Sequence, residues 1–331
     1  MEFAGANRPR ACDSRCLLGS QADIRARLRP AARDRTMNTA LPPPDHAAFP
    51  IPGALRTALD TLLSSTSASA PQPIWPETIT RIAESLTTEG RIVAPFRAAW
   101  SALYTVTLYL DHLQDTDALG DPRLEALPPA IQYHLAFSTY IAAQHALSSL
   151  DPQAIPALRI VRLQRFWASS VAQIASGQYR DLTQTLAVIQ AQGHAPLDAY
   201  EQLAAQKTGA TFALAFGGAA ILATDDEAVI AAVTNAGMVY GLLLQYRDDL
   251  SDAEAQEGQH AATTLSRALL AAHPALTTHG PYAVTAFWAA ITAAYAEALP
   301  AILAPLSAET RTVYANLLQR SFSIALGEAT P

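Results

Sequence analysis

"GLLLQYRDDLSD", residues 241–252, begins as apolar helical text and ends in three aspartates, Asp248, Asp249 and Asp252. Asp248 and Asp252 are four residues apart, so on a helix they share one face. Like charges so placed repel, and the C-terminal end of a helix already carries the negative end of its dipole. Upstream, "LYLDHLQDTD" (109–118) leaves an apolar run through Asp111, Asp115 and Asp117, and Asp111 and Asp115 repeat the i, i+4 spacing. Ordinary solvation of a helix end accounts for one such cluster. Two with the same spacing, each closing an apolar helix, point to carboxylates on facing walls that share cations. Mg²⁺ suits such hard oxygen ligands and completes its octahedron with water and substrate phosphates.

Two further motifs stand between the acidic ones. "QKTGATF" (206–212) holds Lys207, the single lysine of a chain that otherwise takes its positive charge from arginine. An ammonium beside Thr208 and Gly209, at the expected start of an apolar helix, suits a compact point charge facing phosphate. One lysine must fall somewhere, so alone it proves nothing. "SGQYRDL" (176–182) sets Gln178 and Asp181 three apart, on one helical face.

The surrounding sequence is rich in Ala and Leu and poor in β-branched alternation, which predicts an all-α protein. At 331 residues and 50% hydrophobic, the chain can bury a large core. Breaks at "GDPR" (120–123), "DPQAIP" (151–156), "QGHAP" (192–196), "TDDE" (224–227) and "HPALTTHGP" (273–281) predict about ten helices. Their expected spans are 76–88, 95–117, 127–148, 154–190, 197–205, 207–223, 226–252, 261–273, 281–303 and 307–325. Short connections of this kind make a single large bundle over 75–331. Before it, 37–74 is Pro/Ser-rich with a short helix, and "SSTSASAPQP" (64–73) is expected to be a linker.

Residues 1–36 differ in charge. They hold eight arginines, four acids and both cysteines, and are expected to be a disordered or artefactual leader without function, with Met37 a more natural start. Outside them, 14 of the 22 basic and 25 of the 29 acidic residues remain, a net of −11, which argues against nucleic acid as a partner. The most apolar stretch, "TGATFALAFGGAAILA" (208–223), is too short for a membrane span and contains a Gly pair, so no stable membrane insertion and a cytoplasmic location are expected.

In order, D-x-x-x-D, G-Q-x-x-D-L, K-T-G and G-x-x-x-Q-x-x-D-D-x-x-D make a chain that resembles the trans-isoprenyl diphosphate synthase (polyprenyl synthetase) family over roughly 75–325. "GLLLQYRDDLSD" is the most specific piece. The resemblance implies an isoprenoid-synthase (class I terpenoid synthase) bundle around a deep apolar cavity, working as a homodimer. It implies three Mg²⁺ (Mn²⁺ substituting) between the two Asp motifs and an allylic prenyl diphosphate. Carried over by position, Asp111, Asp115, Asp248, Asp249 and Asp252 are metal ligands or their supports. Lys207, Thr208, Gln178, Asp181 and Gln245 are placed at the substrate, with Asp111, Asp115, Lys207 and Asp248 the catalytic set. Tyr104, Leu108 and Tyr109, just before the first motif, are placed where the family sets cavity depth, and limit the chain to C10–C20.

The departures matter equally. The first motif reads "DHLQD", with His112 where the family has a second aspartate, and the arginine pair after it is absent; only Arg123 follows. The isopentenyl-diphosphate motif G-G-K-R-x-R-P reads "EGRIVAP" (89–95), which keeps Arg91 alone. A second polyanion without bidentate arginines is hard to hold. The expectation is therefore an enzyme that ionises one allylic diphosphate and releases a terpene or terpene alcohol. The open alternatives are a chain-elongating prenyltransferase, a peptide or protein prenyltransferase, and a non-catalytic subunit of a heteromeric synthase.

Overall fold

Residues 210–223 are all apolar or small, with no polar face, so a helix made of them must be covered on every side. The computed structural model describes residues 53–69, 74–86, 88–115, 119, 121–184, 196–255 and 264–323, and every regular element among them is helical. In order these are α1 (Gly53–Ser69), α2 (Ile74–Ser85), α3 (Ala94–Asp115), the short α4 (Pro122–Glu125), α5 (Pro129–Ser148), α6 (Ala157–Thr183) and α7 (Pro196–Ala204). A π-turn (Ala205–Gly209) follows, then α8 (Ala210–Ala223), α9 (Glu227–Ala255), α10 (Thr264–Ala272), the short α11 (Ala275–Thr278), α12 (Gly280–Leu303) and α13 (Ala308–Phe322). All of α8 is buried, packed against α2, α3, α6 and α9.

The helices wrapping α8 are striped. On α6 the buried positions Leu163, Trp167, Ser170, Ile174, Gly177 and Asp181 alternate steps of four and three, one face of a helix. On α3 the buried Phe96, Trp100, Leu103 and Val106 step by four, three and three along one face, and the Trp100 indole N–H donates to the Thr211 backbone carbonyl at 2.9 Å. Two glycines permit closer contact than any side chain would. A Cβ on Gly177 would lie 2.6 Å from the Lys207 backbone nitrogen, and one on Gly241 would lie 2.5 Å from the Thr208 carbonyl oxygen. The π-turn is thus gripped by α6 on one side and α9 on the other.

The all-α bundle agrees with the sequence expectation; several boundaries do not. The linker expected at 64–73 is helical up to Ser69, because α1 packs on α3 and α5. The helix expected over 154–190 stops at Thr183, where Gln184 turns to extended backbone. No break separates 205 from 207: α7, the π-turn and α8 run on continuously, so Lys207 does not stand at a helix N-terminus. The leader 1–36, the start at Met37 and Asp117 lie outside the described residues, as does the side chain of Asp252. By length and composition alone, Glu227–Ser251 and Pro281–Leu303 are long and apolar enough to cross a membrane, although neither is an uninterrupted apolar run. The first is 61% buried in the bundle, as a core helix is.

Candidate active site

A cavity of about 670 Å³ opens between α3, α5, α6, the π-turn and α9. That is within the roughly 300–1,000 Å³ of small-molecule pockets. One end is polar, lined by Asp111, His112, Gln114, Asp115, Gln178, Lys207, Thr208, Gln245, Asp248 and Asp249. The other is mostly apolar, with Leu103, Val106, Leu108 and Leu110 of α3, Phe137 of α5, and Val171 and Ile174 of α6.

Lys207 organises the polar end. Its ammonium donates to Asp111 Oδ1 at 2.7 Å and to Asp181 Oδ2 at 2.9 Å. Burial opposes the charge, but the two carboxylates outweigh it and hold the Lys207 pKa above the ordinary lysine value. Gln178 Nε2 donates to Asp111 Oδ1 at 2.8 Å and to Gln114 Oε1 at 2.9 Å. The first acidic motif is therefore neutralised in part by a lysine almost 100 residues further along, which the bundle folds against it.

The second motif divides. Neighbouring residues on a helix point about 100° apart. Asp248 is exposed at the cavity rim, with its side chain 58% accessible and near Arg247, whereas Asp249 is buried. Asp249 accepts from the Tyr200 hydroxyl at 2.7 Å, from Ser266 Oγ at 2.9 Å and from Gln245 Nε2 at 3.2 Å. Gln245 in turn accepts from the Thr208 hydroxyl. With both oxygens so engaged, Asp249 is tied into the bundle by three hydrogen bonds while also lining the cavity beside Asp248. Burial pushes its carboxyl up to about 7, against the opposing pull of the Tyr200, Ser266 and Gln245 hydrogen bonds and the Lys207 charge.

This shift has a sign that can be measured. An unfolded aspartate titrates near 3.9, so folding favours the protonated form of Asp249. Its stabilising contribution is complete below about pH 4 and is lost as the pH rises through about 7. Asp249→Asn, neutral throughout, should lose less stability than wild type between about pH 5 and pH 8 in urea titrations. Parallel pH profiles for the two proteins would show that the carboxyl ionises normally.

Other expected site residues are placed as follows. Tyr104 and Leu108 line the cavity, and Tyr104 is stacked on Trp100 with ring centroids 5.2 Å apart. Asp181 does not line it and meets the cavity only through its ion pair with Lys207. Tyr109, expected to limit depth, is a core residue that lines no part of the cavity, because it faces away from Leu108 around the helix. Arg91 is exposed, its guanidinium resting on Glu89, and is not part of the lining. Sequence reasoning missed Gln114, the α5 aromatics Tyr133, Phe137 and Tyr140, and the buried Tyr200 and Ser266. The α5 trio recurs at i, i+4 and i+7, a readable stripe. Nothing local marks Tyr200 or Ser266.

With this geometry in place, comparison with known proteins gives the class. The polyprenyl synthetase family model matches residues 76–263, more than half of the chain, and the protein belongs to that family, whose members are prenyltransferases. A geranyltransferase from Legionella pneumophila superposes with a TM-score of 0.62 at 17% identity, covering 83% of this chain and 90% of that one. A geranylgeranyl pyrophosphate synthetase from the archaeon Geoglobus acetivorans gives 0.58 at 20% identity, over 80% and 90%. A geranyl diphosphate synthase small subunit from Antirrhinum majus gives 0.56 at 15% identity, over 94% and 100%. At these identities the likeness shows the fold, the all-α isoprenoid-synthase bundle. No curated protein sequence matches the chain.

Proposed function

We propose that the protein is a Mg²⁺-dependent enzyme that ionises one allylic prenyl diphosphate and releases a terpene or terpene alcohol with diphosphate. One observation carries this reading. Among the described residues lining the cavity, Lys207 is the single lysine and no arginine is present, so the lining offers a diphosphate one permanent cation. Elongation needs two diphosphates bound together, and the residue retained from the second half-site, Arg91, lies outside the lining.

The donor set fits the metal. Among the described residues no group of three His, Cys, Asp or Glu side chains converges. Mg²⁺ at phosphate sites commonly takes one or two carboxylates, with substrate oxygens and water filling the rest. Asp111, Asp115 and Asp248, lining one cavity from α3 and α9, would hold such ions, three by the family resemblance, with Mn²⁺ able to substitute. Bound there, the metal supplies countercharge to the leaving diphosphate. Lys207 adds a hydrogen-bonding cation at the same end. The allylic C–O bond breaks with its electron pair going to the diphosphate. The resulting cation then either loses a proton to the departing diphosphate, giving an alkene, or takes up water and loses a proton to give an alcohol. The apolar walls exclude bulk water and set which outcome follows.

Elongation is the second reading, favoured by the names of the structural neighbours, a geranyltransferase and a geranylgeranyl pyrophosphate synthetase. Radiolabelled isopentenyl diphosphate separates the two. Losing two charge-assisted contacts weakens a second diphosphate by about two to four orders of magnitude. Geranyl, farnesyl or geranylgeranyl diphosphate alone should therefore yield hydrocarbon or alcohol plus pyrophosphate, with no label entering a longer chain. Excess chelator should stop pyrophosphate release. Efficient label incorporation without terpene would establish an elongating synthase. The small-subunit neighbour raises a non-catalytic role, and release of pyrophosphate by the purified chain alone would dismiss it.

A further inference from the structure

At the polar wall of the cavity, three helices converge on one carboxyl, that of the lining residue Asp249. Asp249 comes from α9, Tyr200 from α7 and Ser266 from α10, and Tyr200 and Ser266 are fully buried without lining the cavity. Both donate to Asp249, at 2.7 and 2.9 Å. The third donor is Gln245, which does line the cavity.

A glutamine amide has two unlike ends: the NH₂ only donates and the carbonyl only accepts. Here the NH₂ faces Asp249, and the carbonyl accepts from Thr208, another lining residue. Reversing the amide would set its oxygen against Asp249 Oδ1 and leave its NH₂ without the acceptor it now has. Asp249 thus selects the orientation of Gln245. The Tyr200 and Ser266 hydroxyls, on two separate helices, fix where Asp249 stands. The consequence reaches the cavity, because Gln245 and Thr208 both line it, and on the ionisation reading a carbonyl held there is a preorganised dipole of the sign that stabilises developing positive charge.

We propose that Tyr200 and Ser266, acting through Asp249, are positioning residues that hold the Gln245 carbonyl, rather than its NH₂, toward Thr208 in the cavity lining. The positioning stands on the hydrogen bonds alone; its effect on rate rests on the ionisation reading above.

Two readouts on the full chain test it. The first needs no turnover. The Gln245 side-chain NH₂ signal is assigned in ¹⁵N spectra by its loss in Gln245→Met. Its hydrogen exchange should be at least about tenfold faster in the Tyr200→Phe/Ser266→Ala protein than in wild type. Equal exchange overturns the proposal. The second is a double-mutant cycle. Tyr200→Phe or Ser266→Ala should lower kcat about tenfold with KM changed by less than about twofold, and should cause no further loss in a Gln245→Met background. Equal losses in both backgrounds would mean that the hydroxyls merely support the bundle, and would overturn it. Should Tyr200→Phe not fold, Ser266→Ala alone carries both measurements. Absence of pyrophosphate release from wild type would defeat the proposed function instead, and the exchange measurement would still decide the positioning.

Discussion

Lys207→Ala should both silence the enzyme and destabilise it by about 3–5 kcal/mol, the range found when one partner of a buried ion pair is removed. The Lys207 side chain is 14% exposed and that of Asp181 5%. Without the ammonium, Asp181 keeps a buried carboxylate whose other oxygen, Oδ1, has no hydrogen-bond partner. It would have to bind a proton or draw in water. The polar end of the cavity would at the same time lose its single lysine. Lys207→Arg should not restore function, since a guanidinium is a wider, planar group than the ammonium that bonds both Asp111 and Asp181. Urea titration and pyrophosphate release measure the two effects. A variant as stable as wild type would mean that the ion pairs with Asp111 and Asp181 contribute nothing net, and normal turnover would remove Lys207 from the reaction.

The second large effect separates two aspartates that look equivalent on paper. Asp248→Ala should lower turnover by about a thousandfold or more, because metal countercharge is worth several kcal/mol and each 1.4 kcal/mol is a factor of ten. Its folding stability should stay within about 0.5 kcal/mol of wild type, as for most exposed positions. Asp111→Ala should lose a comparable share of turnover and also stability, since Asp111 Oδ1 receives both Lys207 and Gln178. A pure repulsion argument would make both variants as stable as wild type or more so. Melting curves beside pyrophosphate release distinguish the cases, and near-normal release by Asp248→Ala would sink the metal assignment altogether.

That contrast shows where legibility ended. Helix spacing alone put Asp111 and Asp115 on one face, and the two acidic motifs do line a single cavity. The same spacing could not say that Asp248 faces the rim while Asp249 is buried beneath Tyr200 and Ser266. Lys207 was conspicuous as the chain's single lysine, but the reason first offered for it, a helix N-terminus, fails because the helix runs on through a π-turn.

By itself the sequence determined the all-α class, most helix positions and the motif order that places the chain among polyprenyl synthetases. These follow from local quantities: apolar periodicity, Pro and Gly breaks, and residue types at fixed spacing. Only the tertiary structure decided which carboxylate meets which cation. Asp111 and Lys207 are separated by 96 residues, and their contact at 2.7 Å exists because α3, α6 and the π-turn are brought together around the buried α8. The charge, orientation and protonation of a buried polar group depend on whatever long-range packing sets beside it, and no local pattern in the chain encodes that neighbour.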